Sequence, residues 1–219
     1  MNLSRWIVPS ALLLAAALPA GCSSLYYGTM ETFGYHKRDL LVERVEEAKV
    51  DQEQAKEQFQ TAFEQFKQIT AFDGGDLEDQ YNQLKSAFER CADRADDVRD
   101  RIKAVRDVSD ALFAEWRSEL DQYKSEDLRR QSEKLIDSTE RQADQLIAAM
   151  QSAEAKMQPV LDTFSDQVLF LKHNLNARAI ASLSGISTEL EKNVAALIAD
   201  MEKSIDEASA FIDSLKTPE

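Results

Sequence analysis

The sequence predicts an all-α protein, an elongated antiparallel helical bundle or coiled coil of three to four long helices. Three observations predict it. Apolar residues recur at alternating spacings of four and three along most of residues 37–217, the signature of one buried seam per helix. Six Gly and four Pro in 219 residues leave few places for the chain to break. Ala, Leu, Glu, Gln, Asp and Lys dominate the rest, a composition that favours helix over sheet.

The clearest seam lies in 77–123. Leu77, Tyr81, Leu84, Phe88, Cys91, Ala95, Val98, Ile102, Val105, Ser109, Leu112 and Trp116 follow the four-three rhythm, and Leu120 and Tyr123 close it. Charged and amide residues fill most of the positions between. A helix of this extent is about 70 Å long, and its single apolar seam requires partner helices.

Taken in order, the chain opens with Arg5 and an uncharged run from Trp6 to Leu18, too short for a mature membrane span and flanked as a secretory leader. Leu18-Pro19-Ala20-Gly21-Cys22 resembles the bacterial lipobox, with Pro19 standing where an aliphatic residue is usual. That resemblance implies a leader over 1–21 and acylation of Cys22 as the new N-terminus. Ser23 follows, and by resemblance to Gram-negative lipoprotein sorting the lack of Asp there directs the chain to the outer membrane, on its periplasmic face. Several acyl chains, at about 0.8 kcal/mol per buried methylene, make such an anchor lasting. An ordinary leader cut nearby would instead leave a soluble periplasmic chain.

Residues 22–36 read as a membrane-proximal linker. Tyr26, Tyr27, Phe33 and Tyr35 either sit at the headgroup level, which suits amphipathic rings, or pack on the end of the bundle. The single helical domain, 37–217, follows. Its first helix is predicted from Lys37 to Phe72, with a seam of Leu41, Val45, Ala48, Gln52, Ala55, Phe59, Ala62, Phe66 and Ile69. Asp73-Gly74-Gly75-Asp76 breaks it, and Asp76 is placed to cap the second helix. Two Asp offer too few oxygens for a Ca²⁺ site there.

A turn at Lys124-Ser125 is predicted to start a third helix, with Ser125 as N-cap and Glu126 and Asp127 favourable in the first turn. Its apolar face is predicted as Leu128, Leu135, Thr139, Leu146, Met150, Ala153, Met157, Val160, Phe164, Val168 and Leu171, with Pro159 bending or interrupting it. The rhythm then runs on through Leu175, Leu183, Ile186, Leu190, Val194, Leu197, Met201, Ile205, Ala208, Ile212 and Leu215, so periodicity does not mark the next break. Asn174 and Asn176 point to a turn at 173–177, which makes helices two and three equal in length; Ser184-Gly185 is the competing turn.

Charge and motifs narrow the function class. The net charge of −14 opposes nucleic acid and anionic headgroups alike. Without Arg5 the mature chain carries 25 basic and 40 acidic residues. Cys91 lies on a seam, either as a buried thiol or, with Cys22 acylated, as the free cysteine of a disulfide-linked dimer. His36 and His173 fall near opposite ends of the bundle, too far apart to share a metal, and neither follows a Glu by three places as carboxylate di-iron bundles require. No nucleophile elbow, phosphate loop or dinucleotide fingerprint is present. The expectation is a non-enzyme without metal or cofactor.

Two stretches exceed what a plain coiled coil needs: 34–45, and 159–161 followed by 166–180, with apolar residues on more than one helical face. Lys37-Arg38-Asp39, Leu128-Arg129-Arg130-Gln131-Ser132 and Leu171-Lys172-His173-Asn174-Leu175-Asn176-Ala177 together resemble the bacterial family known as domain of unknown function 2959, over essentially the whole mature chain. The resemblance implies a helical, often lipobox-bearing envelope protein and brings no established activity or site residues. From the residues themselves, Phe170, His173, Asn174, Asn176 and Arg178 are expected to meet an envelope protein at the bundle's far end, with the membrane reached through the lipid at Cys22. The resulting expectation is a non-catalytic scaffold or adaptor at the outer membrane. The alternative is a binding module or holdase whose inter-helix groove takes an apolar ligand or an unfolded chain. Self-association into a homo-oligomer stays open.

Overall fold

Four long helices and their turns make up the described residues, 37–71 and 76–216, of the computed structural model; the side chains at 177–179, 181, 184 and 186 are not among those described. The helices are α1 (Lys37–Thr70), α2 (Leu77–Glu119), α3 (Glu126–His173) and α4 (Ala177–Lys216). The predicted leader, Cys22, the linker aromatics, His36 and Gly74-Gly75 lie outside the described residues.

Local chemistry sets the boundaries. Asp76 caps α2, its carboxylate accepting from the N–H groups of Glu78 (2.9 Å) and Asp79 (3.2 Å), two of the donors a helix start leaves unpaired. Ser125 does the same for α3 through the N–H of Leu128. At the other end of α3, Asn174 folds its amide back to donate to the carbonyl of Phe170 at 3.0 Å, and Lys172 and His173 place basic groups in the last turn. The chain turns through Asn174, Leu175 and Asn176, and the Asn176 carbonyl accepts from the N–H of Ile180 to open α4. The break is thus at 174–176, while Ser184-Gly185 lies inside α4.

Each helix packs on the next in sequence, and α4 closes the ring against α1. Cross-helix ion pairs show the antiparallel sense: Lys37 meets Glu115 at 2.7 Å, whereas Asp51, further along α1, meets the earlier Arg101 of α2 at 2.7 Å. Arg99–Glu154 (2.9 Å) joins α2 to α3, Lys156–Asp200 (2.7 Å) joins α3 to α4, and Lys216–Glu46 (2.6 Å) joins α4 to α1. Each such surface pair contributes about 0–1 kcal/mol. As a ladder they matter more for register, since a slip of one turn breaks them together.

The core runs the length of the ring. Every predicted seam residue of α1 is buried, and so are Leu40 and Phe63 beside it. Phe66 of α1 and Phe164 of α3 meet edge to face across the diagonal, centroids 6.3 Å apart at 77°, a contact adding about 0.5–1.5 kcal/mol to its burial.

The structure corrects the predicted pattern in five places. α1 ends at Thr70 and not Phe72. α2 ends at Glu119, and Leu120–Gln122 tighten into a 3-10 turn closed by the Tyr123 N–H on the Leu120 carbonyl. On α2, Ala87 and Phe113 take fully buried places where Phe88, Leu112 and Trp116 were expected, and those three are half-buried. On α3, Leu128 and Leu135 are exposed, and Ser132, Ile136 and Ala143 occupy the seam. Pro159 does not interrupt α3: it stands on the exposed side, where water can serve the carbonyl its missing N–H leaves unpaired.

Candidate functional site

Among the described residues, exposed large apolar side chains gather at the two ends of the bundle, with Val50 of α1 apart from them, and a groove opens between α3 and α4. At the far end, the last turns of α3 split by face. Phe164, Val168 and Leu171 go inward, and Leu169, Phe170 and Leu175 stay exposed. Five residues were expected to contact a partner here. Phe170 and His173 are exposed; Asn174 is committed to capping α3; Asn176 is exposed and starts α4 through its carbonyl. Arg178 is in the first turn of α4, with its side chain outside those described. Leu169 belongs with Phe170 on the open face, although the sequence reading left it out. Its position next to the seam residue Val168 was the available signal.

At the near end, Tyr123, Leu128 and Leu135 are exposed. They flank a polar knot in which the Trp116 indole N–H donates to the Ser132 hydroxyl at 2.9 Å and the Tyr123 hydroxyl lies 3.3 Å from the same oxygen. These residues were missed because Leu128 and Leu135 had been assigned to the seam. Counting back by sevens from Met150 gives Ala143 and Ile136, and would have placed the seam one residue over.

Between α3 and α4 a groove of about 710 Å³ opens to the surface. Leu146 and Phe211 form its floor, Ala149 and Ala210 its walls, and Gln142 and Lys203 belong to its rim.

The titratable groups with clear shifts serve packing and register. Burial pushes the Cys91 thiol up to about 12, and its S–H points at the Gln58 carbonyl 3.4 Å away. Fully buried, the thiol reaches a second copy only if α2 opens. The hydrogen bond to Asp51, with the charge of Glu47 behind it, holds the Arg101 guanidinium above its usual range. The hydrogen bond from Lys156 holds the Asp200 carboxyl below the ordinary carboxylate range. Among the described residues, no three or more His, Cys, Asp or Glu side chains gather as a metal site, and no helix is long and apolar enough to cross a membrane.

The comparison with protein families decides the affiliation. A family model described as "Protein of unknown function (DUF2959)" matches residues 26–215. The chain belongs to this family. No curated protein and no solved structure matches it. The DUF2959 match takes in all four helices, from before the start of α1 to the last turn of α4, so the whole bundle is the family's unit.

Proposed function

We propose that this DUF2959 protein is a non-catalytic, lipid-anchored periplasmic rod that acts as a scaffold or adaptor at the outer membrane. One observation carries the reading. A bundle with a continuous filled core and an ion-paired, acidic exterior leaves Leu169, Phe170 and Leu175 open at the end opposite the start of α1. At about 1.5 Å per residue, the 34 residues of α1 hold that patch roughly 50 Å from Lys37. The mechanism is geometric: the lipid at Cys22 fixes one end, and the far end presents apolar side chains to another envelope component.

The test is a photo-crosslinking amino acid at Phe170 or Asn176, irradiated in cells. The reading expects a discrete adduct with one envelope protein, reduced when Cys22→Ala releases the chain from the membrane. Absence of any adduct from either position counts against it. The groove over Leu146 and Phe211 favours the second reading, an apolar-ligand module. A crosslinker at Ala149 capturing many unrelated chains, with none captured at Phe170, would replace the adaptor by a holdase.

A further inference from the structure

One face of α3 in the α2–α3 hairpin borders α4 along the middle of the helix and ends in two exposed leucines toward the hairpin turn. Leu128, Leu135, Gln142 and Ala149 are spaced by sevens on α3 and so share a face. Along Gln142 and Ala149 that face lines the groove with α4, where the Ser214 hydroxyl lies 3.4 Å from the Gln142 amide oxygen. Two residues later α4 ends at Lys216. Helix α3 continues back to Glu126, so about 20 Å of that face extends beyond α4. Leu128 and Leu135 on it are 53% and 43% exposed, and Tyr123 at the hairpin corner is 41% exposed.

We propose that this hairpin end is a second membrane contact, its Tyr123, Leu128 and Leu135 resting in the headgroup–acyl boundary of the bilayer that holds the anchor. The inference rests on the lipid-anchored reading above. Reach is the first argument. Lys37 pairs with Glu115, near the base of the hairpin, and fifteen residue steps separate it from Cys22. Fully extended, those steps span about 50 Å. The anchor can therefore sit level with a hairpin end that extends about 20 Å past α4.

Charge is the second argument. Residues 120–135 hold four acids (Asp121, Glu126, Asp127, Glu133) and four bases (Lys124, Arg129, Arg130, Lys134), against −14 for the whole chain. The repulsion that keeps an acidic rod off anionic lipid is absent at this end. Arg129–Asp121 at 3.5 Å and the Arg130–Asp127 pair balance charge locally, and the partly wet Tyr123 ring with its hydroxyl near Ser132 suits an interface that is apolar on one side and polar on the other. Tethering makes the docking intramolecular, so three side chains are enough where they would hold nothing in free solution.

The test uses the full acylated chain in vesicles of phosphatidylethanolamine and phosphatidylglycerol containing a nitroxide-labelled lipid. Leu128→Cys and, separately, Leu135→Cys carry an environment-sensitive fluorophore, and Leu175→Cys at the far end is the control; buried Cys91 does not compete for the dye. Quenching of at least twofold at 128 and 135, with none at 175, is the expected result. A chain that floats with the vesicles while its 128 and 135 labels stay as wet as that at 175 overturns this inference and leaves the anchor intact. A chain that does not float overturns both. Oxidative crosslinking of Leu128→Cys between two copies, in place of quenching, assigns this face to self-association and overturns the membrane contact.

Discussion

Ser204 of α4 donates its hydroxyl to the amide oxygen of Gln52 in α1 at 3.0 Å, and both side chains are fully buried. The Gln52 amide nitrogen has no partner. A half-satisfied polar pair inside an otherwise apolar seam costs stability and fixes which turn of α4 faces which turn of α1. We expect Ser204→Ala to lose about 1–3 kcal/mol, because it strips the amide oxygen of its partner. The double variant Gln52→Leu/Ser204→Ala, which removes both polar groups, should be at least as stable as the natural chain. Urea unfolding of the three proteins decides it; a double variant weaker than Ser204→Ala alone would mean the pair is a net stabiliser.

Cys91 is predicted to be silent in the folded chain. Its protonated form is the one that burial favours, so a disulfide reagent at pH 8 should react with it at a rate set by opening of α2, and rapidly once urea unfolds the protein. The sign of the pH effect follows. Folded and unfolded thiols are both protonated below about 9, so nothing is contributed there. Between 9 and about 12 the unfolded thiol loses its proton first, and stability falls by at most about 1.4 kcal/mol per pH unit from this group. Cys91→Ala should remove that part of the alkaline slope, as measured by urea midpoints from pH 8 to 10.

Asp200 gives the opposite sign. Its folded carboxyl is held below the ordinary range by the Lys156 hydrogen bond, with Ser152 and Lys203 assisting. The stability it contributes is present above the unfolded carboxyl's titration near pH 4 and is lost as pH falls through the folded value. The site is largely solvated, so the contribution is about 0.3–1 kcal/mol after screening. Asp200→Asn should lower the urea midpoint at pH 7 in low salt and match the natural chain near pH 2. Equal midpoints at pH 7 would remove this pair from the register ladder.

The seams of α1 and most of α2 and α4 were legible because one apolar stripe recurs there without a rival. Gln52 could be placed in the core from Ala48 and Ala55 alone, but its partner 152 residues away could not be found by any local rule. Early α3 offers two adjacent stripes, Leu128-Leu135 and Ile136-Ala143; the two leucines read as the seam by size, and only the heptad counted back from Met150 selects the second, which is the buried one. At the far end, apolar residues on several faces announced a special segment; which of them stay exposed was settled by the pitch of α3 against its neighbours, with Val168 inward and Leu169 outward.

Gly185 tests the location of the last turn. It lies inside α4, and a β-carbon added there would meet nothing within 4 Å. Gly185→Ala should therefore stabilise the protein by about 0.5–1 kcal/mol, through helix propensity and a less flexible unfolded chain. A turn at 184–185 would give the reverse, a loss on substitution at a backbone that needs glycine. Thermal unfolding followed by circular dichroism separates the two signs.

The corrected seam of α3 makes the sharpest demand, because neighbouring residues of the same chemistry should behave differently. Ile136 is fully buried, so Ile136→Ala removes several methyl and methylene groups from a packed position and should cost about 2–4 kcal/mol. Leu135, one residue earlier, is 43% exposed and stands beyond the end of α4. Leu135→Ala should change the urea midpoint little, by less than about 1 kcal/mol. If the two costs were reversed, the stripe through Leu128 and Leu135 would be the core seam, α3 would be rotated by one residue against α2, and the Trp116–Ser132 contact would be lost with it. Measuring Ser132→Ala alongside closes the argument: on this packing it leaves the Trp116 indole N–H without its acceptor and costs about 1–2 kcal/mol, whereas on the rotated one it costs nothing.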